Sequence, residues 1–151
     1  MIDWPRLIRA ITGQPEPVNL PELEYSGEMD IHELSSLLID RFPEAELYLP
    51  DAIYNTCTVT DLERFLKWDK TNHTQYEAQV YDCDDFAWRL KGQLTQGKWA
   101  SIPFGVIWTE GHALNLFVDN LRRIYFVEPQ SDKIQTVLEA WQGSKLRFIG
   151  V

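Results

Sequence analysis

Thiols are scarce in this chain of 151 residues: Cys57 and Cys83 are the whole set, and no CxxC motif joins them. That excludes a disulfide framework and a paired-thiol zinc ribbon. Basic charge is scarce as well, with 14 Lys and Arg against 23 Asp and Glu and a net charge of −9. The electrostatic footprint of a phosphate-backbone binder is therefore missing, and nucleic acid is excluded as the main partner. The acidity suits a basic or neutral partner, or a divalent cation. No apolar run approaches the ~20 residues that a membrane span requires. The segment Met1 to Pro17 carries Asp3, Arg6, Arg9 and Glu16 where a secretory leader would be apolar. The expectation is a soluble, cytoplasmic protein with no membrane partner; its oligomeric state has no signature in the sequence. Internal repeats and low-complexity tracts are absent too.

What the chain does have is enough apolar residue for a packed interior, 44% with 13% aromatic. A single domain over residues 1–151 is expected, with 1–28 as an N-terminal arm and 48–151 as the core. Ile2, Leu7, Ile8 and Ile11 have helical spacing, and Gly13 and three prolines then stop that helix. Residues 14 to 28 read as loop. Asp30 with Glu33 forms a capping box opening a helix through Ile31, Leu34, Leu37 and Leu38, closed by Pro43. Thr60 with Glu63 opens another, carrying Leu62, Phe65, Leu66 and Trp68. A polar loop from Asp69 to Gln79 leads to a helix from Cys83 to Gln96, with Asp82 as its cap and Cys83, Ala87, Leu90 and Leu94 on one stripe. Alternating segments follow at 104–108, 112–118 and 122–127. A short helix at 138–141 and a last strand at 146–151 complete the reading. Helices first and antiparallel strands after give an α+β fold class.

Three positions carry chemistry in combination. A three-residue turn centred on Asn120 would pair Leu116 with Ile124, Leu114 with Phe126, and His112 with Glu128. The carboxylate would fix the imidazole tautomer and leave the other nitrogen free to deprotonate a thiol. Cys83, at a helix N-terminus, is the candidate nucleophile. Gln75 and Gln79, with the Cys83 N–H, are candidate oxyanion donors. The negative charge of Asp82, Asp84 and Asp85 opposes thiolate formation. That opposition motivates a hard cation held by oxygen ligands near Asp84, Asp85 and the stretch from Glu128 to Gln130, with calcium the candidate. Zinc on Cys83, His112 and an acid is the chemical rival, without HExxH spacing to support it. Cys57 reads as packing, His32 and His73 as surface residues, and Asn115 as structural. Trp88, Trp99, Trp108 and Trp141 read as core or groove-lining.

The sequence Tyr81-Asp82-Cys83-Asp84-Asp85-Phe86-Ala87, the stretch Gly111-His112-Ala113-Leu114-Asn115 and the stretch Glu128-Pro129-Gln130 resemble papain-like and transglutaminase-like cysteine enzymes. More narrowly, they resemble the C-terminal protease domain of the fungal agglutinin from Marasmius oreades. Asp51 and Tyr54 resemble an upstream segment of such proteins, so the likeness covers residues 48 to 130. It implies a nucleophile helix packed on an antiparallel sheet, a Cys83–His112–Glu128 triad, calcium dependence and a peptide or peptide-like substrate. The expected function is thus a papain-like cysteine hydrolase cleaving an amide bond through an acyl-thioester. The alternatives are a cell-wall amidase or endopeptidase of the NlpC/P60 type, and a catalytically silent papain-like module that binds or supports.

Overall fold

The computed structural model of the protein describes Trp4 and residues 18–151. The helix read through Ile2, Leu7, Ile8 and Ile11 lies outside these residues. The first strand, β1 (Gly27–Asp30), falls where the sequence reads as loop; it pairs antiparallel with β3 (Ile53–Thr56) in a small sheet of two. Its only buried side chain is Met29, so no alternation announces it. Helix α1 (Ile31–Arg41) starts as its cap dictates, with the Asp30 carboxylate accepting from the Glu33 N–H at 2.9 Å. Glu33 does not complete the box: its carboxylate pairs with Arg122 at 2.6 Å.

Helix α2 (Val59–Trp68) begins two residues earlier than the Thr60 reading. Thr58 is the cap and Asp61 its reciprocal partner, with Thr58 N–H donating to Asp61 at 2.9 Å. The two Thr-x-x-acid patterns overlap, and the earlier one keeps Leu62, Phe65 and Leu66 all buried. Helix α3 (Cys83–Leu94) buries Phe86, Ala87, Leu90 and Leu94.

The main sheet has six strands in the order β2-β8-β4-β5-β6-β7. They are β2 (Glu46–Tyr48), β4 (Phe104–Thr109), β5 (Ala113–Val118), β6 (Ile124–Glu128), β7 (Lys133–Gln135) and β8 (Leu146–Gly150). The expected order of helices followed by an antiparallel sheet is corrected here. Strands interleave with helices from β1 onward, eight strands to three α-helices among the described residues, and β2 pairs parallel with β8, making the sheet mixed.

Every residue of β5 is buried, because both sheet faces are covered. Phe117 and Val127 on one face pack with Leu62, Phe65, Leu90 and Leu94 of α2 and α3. Leu114, Leu116, Val118 and Phe126 on the other pack with Met29, Leu34, Leu38 and Tyr54. Each buried Leu or Phe withdraws apolar surface worth about 1.5–3 kcal/mol. Strand β8 lies so close to β4 that a Cβ on Gly105 would sit 2.2 Å from the Gly150 carbonyl oxygen. No helix among the described residues is long and apolar enough to cross a membrane.

Candidate functional site

The β5–β6 connection is longer than the three-residue turn expected. The observed register pairs Leu116 with Phe126 and Val118 with Ile124, a shift of two. Asp119 causes it: its Oδ1 accepts from the N–H groups of Leu121 and Arg123, both at 2.9 Å, and Arg122 takes the left-handed region at φ 63°. A shift of two preserves the side of every side chain. His112 and Glu128 therefore still meet, diagonally rather than opposite, with Nε2 and Oε2 2.8 Å apart.

This pair is enclosed by a network absent from the sequence reading. Gln142 donates its Nε2 to Glu128 Oε2 at 3.1 Å, and its Oε1 accepts from the Glu139 N–H at 2.8 Å and from Gln135 Nε2. Thr109 Oγ1 donates to the Gln142 carbonyl and accepts from the His112 N–H at 3.1 Å. Gly143, at φ 89°, must lack a side chain, since a Cβ would meet Thr109 and Glu110 atoms at 2.9 Å. Trp141 lies over the His112 ring with centroids 4.8 Å apart. The three-residue helix Ala140–Gln142 is too short for any periodicity to flag Gln142.

Cys83 is half-buried, in contact with the small cluster of Ala87, Val106 and Ala113 on the α3 side of the sheet. Ala113 follows His112 directly, yet no hydrogen bond among the described residues joins Cys83 to His112 or Glu128. The structure brings the acid and the imidazole together and leaves the thiol packed beside them. Gln75 and Gln79 are exposed. Gln79 acts through its backbone, in the left-handed region at φ 64°, donating its N–H to Asp82 at 3.1 Å. Asn115 is buried, and its Nδ2 ties α3 to β4 through the carbonyls of Ala87 and Gly105 at 3.0 and 3.1 Å.

The aspartates serve the helix start. Asp85 accepts from the Asp82 N–H at 3.1 Å. Asp82 and Asp84 share a hydrogen bond, which lowers the Asp82 carboxyl and raises that of Asp84. Asp82, Cys83 and Asp84 present ligand atoms within 4.8 Å of one another. Asp84 is one of the expected oxygen ligands, and the carboxylate of Asp85, another, accepts in the helix cap. Cys57 is sealed in the core, and burial, with Asp61 and Asp119, pushes its thiol up to about 12.

Aromatic rings gather around the same strand end. Trp108 of β4 lies opposite Ala113 in the sheet, with Trp88 of α3 edge-on at 6.3 Å and Phe148 at 5.1 Å. Trp88, Trp108 and Trp141 are 47%, 37% and 59% exposed, whereas Trp99 is buried.

The fold is a mixed six-stranded sheet covered on both faces, with exposed tryptophans near the β4–β5 end. A family model described as the ricin-type beta-trefoil lectin C-terminal domain matches residues 28–144, and the chain belongs to that family. Two solved structures are similar to it. One, titled as a PSL1a–E64 complex, has a TM-score of 0.69 and 21% identity over 82% of this chain and 50% of that one. The other is the Polyporus squamosus lectin, titled as bound to the human-type influenza-binding epitope Neu5Aca2-6Galb1-4GlcNAc. Its TM-score is 0.65, with 21% identity over 82% of this chain and 49% of that one. The chain thus spans about half the length of these structures. No curated protein matches the sequence.

These findings correct the assignment made from the cysteine, histidine and glutamate motifs. The family model is that of a lectin C-terminal domain and one of the two neighbours is titled a lectin, so the papain-like and transglutaminase-like naming of the fold gives way to the lectin C-terminal domain. The reading as a cysteine hydrolase, its NlpC/P60 variant and the expected peptide substrate give way with it. The order of a cysteine helix and a histidine strand is a property of topology, and topology alone does not define chemistry.

Proposed function

We propose that the chain is a non-catalytic carbohydrate-binding module, with its sugar site at the aromatic strand end around Trp88, Trp108 and Trp141. Family membership supports the class. The location rests on the exposed tryptophans near the β4–β5 end: Trp88, midway along α3, is edge-on to Trp108 of β4, and Trp141 packs on His112 just before β5. An indole offers a flat apolar face to the C–H face of a pyranose, and a polar rim then orients hydroxyl groups. In this reading Cys83, His112 and Glu128 lie beside the indoles and form the floor on which the sugar rests. The Glu128 carboxylate holds the His112 ring against Trp141, and Asp82 and Asp84, beside Cys83, would supply acceptors for hydroxyl groups.

The test is a calorimetric titration of the protein with Neu5Aca2-6Galb1-4GlcNAc and its component sugars, with E64 in parallel. Saturable sugar binding is expected, weakened about tenfold by Trp108→Ala or Trp141→Ala, with circular dichroism confirming that each variant folds. Uptake of E64 at Cys83 without binding of any of these sugars overturns the proposal.

A further inference from the structure

The sheet face covered by α1 is incompletely closed. Between the last turns of α1 and strand β6 lies a recess of about 400 Å³, floored by Leu37, Ile124 and Phe126. Small-molecule sites run from roughly 300 to 1,000 Å³. A second recess of about 300 Å³ shares Arg41 and Phe126 with the first and adds Phe42, Leu138 and Leu146. Phe42 stands edge-on to Phe126 with ring centroids 6.0 Å apart. The two recesses thus join into one apolar groove. Its rim is cationic, in a protein of net charge −9. Arg41, Arg122 and Arg123 line the first recess against the single carboxylate of Asp40. Arg122 is fastened to Glu33 at 2.6 Å and to the Glu28 carbonyl at 2.9 Å. Arg123 is fastened to Asp119 at 2.7 Å; that carboxylate is sealed inside while the Arg123 side chain is half exposed. Arg41 makes no ion pair among the described residues. A guanidinium has five N–H donors, so the bonds of Arg123 leave some free for an incoming carboxylate.

We propose that this groove binds a free fatty acid, its carboxylate on Arg41 and Arg123 and its alkyl chain along Phe126, Phe42 and Leu146. Charge complementarity selects the head: three guanidinium groups gather where the rest of the chain is acidic. The floor selects the tail. A hydrocarbon chain has no hydrogen bonds to satisfy on Leu37, Ile124 and Phe126, whereas a peptide laid there would bring N–H and C=O groups against hydrocarbon. A bare phosphate would use the rim and leave the floor uncovered. The groove shares no lining residue with the cluster of Trp88, Trp108 and Trp141, and the proposal does not depend on the sugar-binding reading.

The experiment titrates the whole chain calorimetrically with decanoate below its micelle concentration, with decanol and decyltrimethylammonium as companions. Saturable decanoate binding is expected, about tenfold or more tighter than either companion and weakened by added salt. Arg41→Ala should weaken it about tenfold and Arg41→Glu further still, while Lys67→Ala on α2, which packs on the opposite sheet face, leaves it unchanged. Arg41 is exposed, so both variants should fold, and circular dichroism checks that they do. Ile124→Ala reads the tail and should weaken decanoate and decanol alike. Decanol binding as tight as decanoate, or decanoate binding that survives Arg41→Glu, overturns the proposal. Absence of saturable decanoate uptake also overturns it, whether or not the chain sediments with anionic phospholipid vesicles instead.

Discussion

Helices α2 and α3 begin with the same device and treat a cysteine in opposite ways. Each opens on an N-cap whose partner three residues on returns the bond: Thr58 with Asp61, and Asp82 with Asp85. Each has a cysteine beside the cap, Cys57 just outside α2 and Cys83 just inside α3. Cys57 faces Leu62, Phe65 and Leu90 and is fully buried. Cys83 packs against the small side chains of Ala87, Val106 and Ala113 and keeps partial exposure among three aspartates. The cap fixes where a helix starts. The size of the facing side chains decides whether the neighbouring thiol is hydrocarbon-like or available.

Alkali should separate the two thiols most strongly. Cys57 keeps its proton to about pH 12 in the folded protein, while in the unfolded chain it ionises near 9. Between these values the unfolded state binds fewer protons, so stability falls as pH rises, by about 1.4 kcal/mol per unit. Urea melts from pH 8.5 to 10.5 should show that slope, and Cys57→Ala should remove most of it. Next comes labelling: iodoacetamide at pH 8 should modify native Cys83 roughly 100-fold faster than Cys57, with the gap closing on unfolding. Peptide mass spectrometry measures it, and equal rates would erase the contrast. Serine substitution should sharpen it further. Cys57→Ser buries a hydroxyl in a site made for sulfur and should cost about 1–3 kcal/mol, whereas Cys83→Ser should stay within about 0.5 kcal/mol. Smallest is the cap itself, where Thr58→Ala should cost about 1 kcal/mol by thermal melting. Asp82→Ala should cost less, because it also relieves crowding with Asp84.

Caps and core stripes were legible in the sequence because they are local. Asp30, Asp82 and the run Ala87, Leu90, Leu94 sit where the spacing puts them. Thr60 misled because Thr58-x-x-Asp61 and Thr60-x-x-Glu63 differ by only two positions, and burial of the helix decides between them. The His112–Glu128 contact was legible through parity, while its register was not, because Asp119 builds a turn that pattern alone does not reveal. Strands β1 and β7 were missed: one buries a single residue and the other spans three. Gln142 escaped because polar contacts made by a one-turn helix leave no period. The family escaped for a different reason. Cysteine, histidine and glutamate in that order describe a path through space, and the step from path to hydrolase was not carried by the residues.

Strand β2 has one neighbour in its sheet, β8, which lies about a hundred positions later. A parallel pairing at that separation closes a very long loop before it returns any contact energy. On the ribosome, at about 5–20 residues per second, residues 46–48 wait several seconds for a partner. During that delay α1 and the β1–β3 ribbon can assemble, but the edge beyond β4 stays open to other polypeptides. The exposed glutamate and tyrosine at the ends of β2 meet that hazard, giving the waiting segment a polar face until the sheet closes over it.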